Sequence, residues 1–265
     1  VLDYKQMAGR AGRPQYDDLG EAILTASSRD EQEYLMKYYI CAEPEQIWSK
    51  LTTDKALRSH VLAAISSDFV KTEQELVNFF RGTFSAYQYG EYVIEKPIFK
   101  VLKYLVDKEL IEYKGKYLFS TILGKRTSEL YIDPETAVII MGGLKNKPKV
   151  TPISFLHLIS HTPDLTPKLY PHRREKDFLE TYSEIHRDEF MFPIPDQWEE
   201  TVDYEIFLGE LKCAMVLDSW IEEMKENDIL EKFKVEPGDL YRIMEMGIWL
   251  LYSTYEIAKL VGQKE

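Results

Sequence analysis

The sequence predicts a mostly α-helical protein with one small β-hairpin, and three observations support that prediction. Apolar residues recur at helical spacing, most clearly from Phe207 to Met224. Capping residues stand in front of such stretches, as Ser28 does with Glu31 three positions later. Residues 111–119 instead alternate in polarity around a Lys-Gly-Lys turn, which is the pattern of a tight hairpin.

The composition is that of a globular protein. Of 265 residues, 45% are hydrophobic and 29% are charged, with 13 Gly and 12 Pro, which excludes disordered and collagen-like chains. Apolar runs such as 137–141 are far shorter than the ~20 residues that a membrane span needs. The sequence shows no secretory leader, and Cys41 and Cys213 have no metal-ligand residues nearby. We therefore expect a cytoplasmic protein in a reducing compartment.

Charge is unevenly distributed along the chain. The whole protein has a formal net charge of −12. Residues 1–53 sum to −3, residues 54–149 to +3 and residues 150–265 to −12. Because phosphate neutralisation supplies most non-specific affinity for nucleic acid, such a protein should bind a strand only through local basic or stacking positions. The middle third is the candidate for a basic face.

The first 53 residues predict a short strand followed by a helix. The chain opens in the middle of an element at Val1, so we expect it to be part of a longer protein. Residues 21–26 have the apolar, β-prone character of a strand. The capping pair Ser28 and Glu31 then predicts the start of a helix that carries several aromatic residues.

Residues 54–120 predict three helices and the hairpin, the arrangement of a winged helix. The predicted helices are residues 54–66, a helix opened by Thr72 with Glu75, and residues 97–110. In winged helices the third helix usually faces nucleic acid. Three lysines around this helix are equally consistent with contacts to phosphate or with a solvated helix face: Lys96, Lys100 and Lys103.

The remaining residues predict a helical bundle. Asp133-Pro134 and Thr151-Pro152 each place a capping residue before a proline suited to the first helical position. The stretch 207–224 has one apolar stripe, and Pro237 opens a long helix that is predicted to reach about Leu260. His157 and His161 have the i, i+4 spacing of metal ligands, but without a third ligand in register we expect no metal site.

The most specific short motif lies near the start, at Gln6, Gly9, Arg10, Gly12 and Arg13. Two arginines three positions apart on one short helix could direct both guanidinium groups at phosphate oxygens. An arginine that reaches a γ-phosphate offsets charge that develops in the transition state. The alternative is a turn whose arginines pair with nearby carboxylates.

This string resembles motif VI of superfamily-two helicases. The whole chain resembles the C-terminal part of archaeal Hjm-type DNA helicases, in the Ski-two-like DExH group. Besides Gln6–Arg13, the resemblance rests on residues 123–134, on residues 157–164 and on residues 237–249. These four matches occur in the same order along the chain as in the family.

The resemblance implies a domain organisation and a function. Residues 1–27 would end the second RecA-like motor domain, residues 28–130 would form a connector and winged helix, and residues 131–265 a helical-bundle ratchet domain. The family couples ATP hydrolysis, with Mg²⁺, to 3′–5′ movement on DNA at forks and in repair. Its partners would be single-stranded or forked DNA and the missing N-terminal motor domains.

The resemblance also assigns residues to two sites. Gln6, Arg10 and Arg13 would contact ATP, with Arg10 and Arg13 as catalytic residues and Arg13 as the arginine finger. Because the chain contains no Gly-x-x-x-x-Gly-Lys-Ser/Thr phosphate loop, we expect it alone to hold no cofactor and hydrolyse no ATP. Arg242 and Trp249 would grip single-stranded DNA on the ratchet helix.

Helix geometry is compatible with the second assignment. Arg242 and Trp249 are seven positions apart, so they share a helix face over ~10 Å, or about three stacked nucleotides. An indole can stack on any base, and an arginine can pair with a phosphate. Trp249 precedes Leu250 and Leu251, however, so burial in the core is an open alternative.

Two other functions fit the same residues. One is an RNA helicase of the same group, because no residue identified here distinguishes a 2′-hydroxyl. The other is a non-enzymatic winged-helix module that binds duplex DNA or a protein. The winged helix could also brace the motor domains without touching DNA. The pair Arg10 and Arg13 favours the motor enzyme, since an adaptor has no use for it.

Overall fold

The computed structural model describes residues 1–12, 15, 19–146 and 150–262. It divides into two compact units, residues 1–49 and residues 50–265. Almost all of its regular structure is helical, with a single two-stranded sheet in the described part of the chain. The predicted mostly helical class with a small hairpin is confirmed.

The described part of the first unit contains two short helices. They are α1 (Leu2–Ala8) and α2 (Arg29–Leu35), and α2 continues into a π-helical turn at Met36–Ile40. As predicted, the Ser28 hydroxyl caps α2 by accepting a hydrogen bond from the Glu31 N–H at 3.1 Å. The prediction of a strand at residues 21–26 is wrong. These residues are exposed and irregular, and the described part of this unit has no strand with which they could pair.

The winged helix lies at the start of the second unit. Its elements are α3 (Asp54–Ser66), α4 (Glu73–Arg81), α5 (Phe84–Tyr89), α6 (Glu95–Asp107), β1 (Ile111–Lys114) and β2 (Tyr117–Ser120). The strands are antiparallel, with Ile111 opposite Ser120, and Gly115 takes the positive φ of +64° that the tight turn requires. The short helix α5 was not predicted, and α6 ends three residues before the predicted end at Leu110.

The core of the winged helix is made of aliphatic and aromatic side chains. Leu57 and Val61 of α3, Leu76 of α4 and Ile98 and Leu105 of α6 are completely buried there. Each such side chain contributes roughly 1.5–3 kcal/mol of transfer free energy. Apolar burial therefore positions α6, so that its polar side faces outward.

A further helix, α7 (Ile122–Glu129), follows the hairpin directly. This helix contains the start of the segment 123–134 that carries part of the family resemblance. The Thr121 hydroxyl caps the helix by accepting a hydrogen bond from the Gly124 N–H at 3.1 Å. A Cβ atom at Gly124 would lie 1.8 Å from the Leu110 carbonyl oxygen, so this position of α7 accepts only glycine.

The remaining helices form a bundle around a second apolar core. They are α8 (Pro134–Lys145), α9 (Pro152–His161), α10 (Arg173–Ile185), α11 (Thr201–Ile221), α12 (Glu226–Phe233) and α13 (Pro237–Gly262). A Cβ atom at Gly247 of α13 would lie 2.7 Å from Leu217 Cδ2 of α11, so these two helices pack closely. The sequence predicted α13 almost to its end but missed α12.

Candidate nucleotide and nucleic-acid sites

The arginine motif lies at the end of α1. Gln6 is exposed on α1, and Arg10 is exposed in the turn that follows the helix. The expectation that one short helix carries both arginines is therefore wrong for Arg10, because α1 ends at Ala8. Arg13 lies outside the described residues. The accessibility of Gln6 and Arg10 is compatible with contact to a ligand, and their proposed role remains a prediction.

The three lysines of the winged helix lie on the outer side of α6. Lys96, Lys100 and Lys103 are exposed, at positions i, i+4 and i+7. Lys100 forms an ion pair with Asp54 at 3.0 Å, and both side chains remain well exposed to solvent. The geometry makes the three ammonium groups accessible to phosphate without showing that they bind it.

Arg242 and Trp249 share one face of α13, and both are partly buried. The Arg242 guanidinium lies 3.3 Å from an Asp239 carboxylate oxygen and 3.7 Å from the Met246 sulfur. The Trp249 indole packs against the bundle core, and its N–H donates a hydrogen bond to the Leu130 carbonyl at 3.0 Å. One edge of the indole therefore holds α13 against the end of α7. Whether the indole also stacks on a base remains a prediction.

Two tyrosines that follow Trp249 on α13 lie on the surface. Tyr252 is 53% exposed and Tyr255 is 59% exposed. The sequence could not separate these tyrosines from Trp249, because all three stand in the same apolar stretch of one helix. The neighbouring helices α7, α8, α9 and α11 decide which side of α13 is covered.

An ion-pair network, which no sequence motif had indicated, joins the winged helix to the bundle. Arg58 of α3 donates two hydrogen bonds, at 3.2 and 3.1 Å, to the carboxylate of Asp133, whose side chain is fully buried. The Arg58 guanidinium also pairs with Glu135. Beside it, Lys55 pairs at 3.0 Å with Asp164, which in turn accepts the Asp133 N–H. The bidentate geometry fixes the orientation of α3 relative to α8.

The two histidines at i, i+4 belong to a polar cluster inside the bundle. His161 Nδ1 lies 2.8 Å from the Glu210 carboxylate, and Lys168 pairs with the other oxygen of that carboxylate at 2.9 Å. His157 is buried beside them, and burial lowers the pKa of its imidazole to about 4. Lys168 already balances the charge of Glu210. Within the described ranges, no group of three or more ligand side chains is placed to hold a metal ion.

Comparisons with known proteins identify the family. The family model for the archaeal helicase domain 4 matches residues 153–265, and a helix-turn-helix family model matches residues 20–112. The ATP-dependent DNA helicase Hel308 of Methanocella arvoryzae is 42% identical over 266 residues, which cover 99% of this chain and 36% of that protein. Its counterpart in Pyrococcus horikoshii is 41% identical over 262 residues, covering 98% of this chain and 36% of that protein.

The chain belongs to the archaeal Hel308 helicase family. The Hel308 protein of Thermococcus kodakarensis is 37% identical over 270 residues, which cover all of this chain and 24% of that protein. The chain thus spans about a third or less of the length of these relatives, and it corresponds to their C-terminal region. The resemblance that the sequence motifs indicated is confirmed.

The matched regions of this Hel308-family chain contain all five predicted nucleic-acid residues. Arg242 and Trp249 lie within the helicase domain 4 match, and the three lysines of α6 lie within the helix-turn-helix match. The domain boundaries predicted at residues 27/28 and 130/131 stay predictions. No described helix is both long enough and apolar enough to cross a membrane.

Proposed function

We propose that this chain is the strand-gripping C-terminal part of an ATP-dependent 3′–5′ DNA helicase that acts at forks and in repair. One observation supports this most: 99% of the chain aligns with a Hel308 DNA helicase at 42% identity. In this proposal, the missing N-terminal motor domains bind ATP with Mg²⁺. The bundle holds single-stranded or forked DNA, and the protein works in the cytoplasm, where both unbridged cysteines can stay reduced.

At the nucleotide, Gln6, Arg10 and Arg13 are the residues of this chain that would contact ATP. ATP supplies the phosphoryl group, and Mg²⁺ neutralises part of its charge. The role of Arg10 and Arg13 is to place fixed positive charge where negative charge develops on the transferred phosphate. The exposure of Gln6 and Arg10 fits such contacts. Without a phosphate loop in the sequence, this chain would supply half of the site.

At the DNA, Arg242 and Trp249 would hold the strand between steps of the motor. A grip that relies on stacking and a phosphate contact releases any base equally well, which suits a motor that moves along every sequence. Lys96, Lys100 and Lys103 would add phosphate contacts if the winged helix reaches duplex DNA. The alternative is that the winged helix braces the motor domains without touching DNA, in which case these lysines form a solvated helix face.

The first test changes Arg13 to Ala in the full-length helicase. Removing an arginine finger should lower ATP turnover by roughly 10³-fold, while affinity for single-stranded DNA stays nearly unchanged. Arg29→Ala is the matched control, because Arg29 is highly exposed and pairs only loosely with Glu33 at 3.7 Å. Unchanged ATP turnover in Arg13→Ala would remove the finger assignment.

The second test concerns Arg242. If this side chain grips the strand, Arg242→Ala should reduce unwinding more than it reduces DNA-stimulated ATP hydrolysis, because ATP is then spent without movement. Both rates are measured on one forked substrate. Equal losses of the two rates would contradict the assignment.

A second candidate function is a winged-helix module that binds duplex DNA without catalysis. The helix-turn-helix match at residues 20–112 favours it. Strand preference separates the two candidates. The helicase proposal predicts that the chain prefers single-stranded to duplex oligonucleotides, whereas preference for one duplex sequence would support the non-enzymatic module.

A further inference from the structure

Three exposed apolar side chains lie in a row at the start of α11. Trp198 is 85% exposed, Val202 is 73% exposed and Ile206 is 37% exposed. The Glu200 N–H donates to the Asp196 carbonyl at 2.9 Å, so the turn that leads into α11 already follows the helical path. A spacing of four positions therefore places the three side chains on one side of the helix, over ~12 Å or about two turns. We call these three residues the α11 stripe.

Packing shows that the α11 stripe is not part of the bundle core. The core side of α11 at this level carries Tyr204, Phe207 and Leu208, which are buried. The stripe ends near Gly209, where a Cβ atom would lie 2.8 Å from the Leu169 carbonyl oxygen, so another segment of the chain covers α11 from that point. Before it, two large apolar side chains stay in water. Tryptophan is enriched at the energetic centres of protein interfaces, so an exposed tryptophan in such a row indicates a surface that binds a partner.

Carboxylates surround the α11 stripe. Residues 188–211 contain eight acidic residues and no Lys, Arg or His. Two of these acids, Glu199 and Asp203, directly follow Trp198 and Val202 in the sequence, and both are exposed. Because one position along a helix is a rotation of about 100°, their carboxylates flank the stripe along one side.

The neighbouring helix α10 does not neutralise this charge. Gln197 lies 3.5 Å from Glu180, whereas Lys212 pairs with Glu175, so α10 runs antiparallel to α11 and its end lies beside the stripe. Two cations of α10 and the turn after it are already paired with carboxylates: Lys176 with Glu205, and Arg187 with Glu184. The electrostatic potential at the α11 stripe is therefore negative.

We propose that the α11 stripe binds a basic amphipathic helix of another protein. Such a helix would place apolar side chains, four positions apart, against Trp198 and Val202, and Lys or Arg side chains beside Glu199 and Asp203. A nucleic acid does not fit this surface, because the carboxylates repel phosphates. The inference goes beyond the proposed helicase function and does not rest on it.

The size of the stripe predicts a transient complex. Contact over about two helical turns should bury less than the ~1,200 Å² below which complexes are weak, so we expect a dissociation constant in the micromolar range. The carboxylates lie at the rim of the contact, where salt screens them. Raising the salt concentration from about 0.05 M to about 0.5 M should therefore weaken binding roughly fivefold.

Binding of a designed peptide tests the chemistry of the partner. The probe is a fluorescently labelled synthetic helix with Leu on one side and Lys on the other, and a second peptide carries Glu in place of each Lys. In fluorescence anisotropy, the full-length helicase should bind the Lys peptide at least about tenfold more tightly than the Glu peptide. No binding of the Lys peptide, or equal binding of the two peptides, would overturn the proposal.

Variants of the stripe test the location of the binding site. Changing Trp198 and Val202 together to Ala should weaken binding of the Lys peptide by about tenfold or more. The matched control changes Tyr87 and Ile122 to Ala, since these side chains are 86% and 77% exposed elsewhere in the protein. The control should stay within about twofold of wild type. Equal losses in the two double variants would show non-specific adsorption and overturn the proposal.

Charge reversal tests the role of the flanking carboxylates. Glu199→Lys combined with Asp203→Lys keeps the apolar stripe but reverses the charge beside it. This variant should prefer the Glu peptide to the Lys peptide, because specificity follows the sign of the flanking charges. An unchanged preference for the Lys peptide would place the contact elsewhere and overturn the proposal.

The same variants distinguish other occupants of the stripe. If Trp198→Ala with Val202→Ala lowers ATP turnover or unwinding in the absence of peptide, the motor domains of the same protein cover the stripe, and the proposal is overturned. If this change abolishes self-association in sedimentation, a second copy covers the stripe, and the proposal is again overturned. Loss of peptide binding with unchanged ATP turnover, unwinding and sedimentation supports it. Failure of the Lys peptide to bind wild type would leave the helicase proposal untouched, because ATP turnover and unwinding are measured separately.

Discussion

The winged helix and the bundle differ in whether charged side chains are buried inside them. Between residues 54 and 121, all of which the structure describes, no charged side chain is buried. The described part of the bundle buries several charged or titratable groups: Asp133, His157, Asp164, Glu189, Glu210 and Lys212. Both regions have apolar cores, so the difference lies in their polar residues.

This difference has a physical consequence for each region. A buried charge is costly unless a partner satisfies it, so each one in the bundle demands a particular arrangement of its neighbours. Lys212, for example, is almost completely buried and pairs with Glu175 of α10 at 2.8 Å. The lysines of α6 remain in solvent, where pairing is weak and they are available to a partner. The buried ion pairs therefore fix how the bundle helices are arranged, whereas the winged helix presents its charged side chains on the surface.

The largest effect should come from Arg58, which joins the two regions. Arg58→Met keeps the aliphatic stem but leaves the Asp133 carboxylate buried without its cation. Breaking one side of a buried pair typically costs about 3–5 kcal/mol, so the free energy of unfolding of the chain should fall by that amount. Chemical denaturation at pH 7 measures it.

Lys100→Met is the matched control for that measurement. It removes an exposed ion pair, with Asp54, that belongs entirely to the winged helix. Exposed pairs contribute less than about 1 kcal/mol. Similar losses for Arg58→Met and Lys100→Met would show that the buried network does not distinguish the two regions.

A smaller effect is expected from the pH dependence of the bundle. Because burial lowers the pKa of His157 to about 4, the unfolded chain, where the pKa is near 6.5, binds this proton more readily than the folded one. Stability is therefore lost as the pH falls from about 6.5 towards 4. Lowering the pH from 7 to 5 should therefore reduce the free energy of unfolding by about 2 kcal/mol through this histidine.

The variant His157→Leu should remove that part of the pH dependence. Comparing its slope of unfolding free energy against pH with that of wild type isolates His157 from Glu210, His161 and Lys168, which remain in place. His60→Leu is the control, since His60 is exposed on α3 of the winged helix. A slope that is unchanged in His157→Leu would contradict the assigned pKa.

The smallest effect concerns a local cap in the winged helix. The Thr72 hydroxyl accepts a hydrogen bond from the Glu75 N–H at 3.2 Å at the start of α4. Thr72→Ala should lower the free energy of unfolding by about 1 kcal/mol. In Thr53→Ala the change should be smaller, because the Thr53 side chain makes no capping hydrogen bond to α3. Thermal unfolding compares the two variants, and a larger loss for Thr53→Ala would be inconsistent with this ranking.

Local signals account for the parts of the fold that were predicted correctly. The cap at Ser28, the turn at Gly115 and the start of α8 at Asp133 each depend on residues within a few positions of one another. The missing strand at residues 21–26 shows the limit of such signals. A strand needs a neighbour to pair with, and no local pattern supplies one.

In the candidate sites, too, the features set by local spacing were predictable and those set by packing were not. As their spacing predicts, the three lysines of α6 lie on one exposed side of that helix, and Arg242 and Trp249 share one face of α13. The sequence could not show that Arg10 lies beyond the end of α1 or that the Trp249 N–H bonds to Leu130. Those facts depend on where a helix stops and on what packs against it.

The sequence by itself determined the helical class, the hairpin, the charge distribution and the family motifs, because each is encoded by residue type and short-range spacing. The tertiary structure alone decided which side of α13 is open and which charges are buried. Helical periodicity places Trp249, Tyr252 and Tyr255 within one amphipathic stretch, but it does not specify the neighbouring helices. The packing of α7, α8, α9 and α11 around α13 covers the tryptophan and leaves the tyrosines in water.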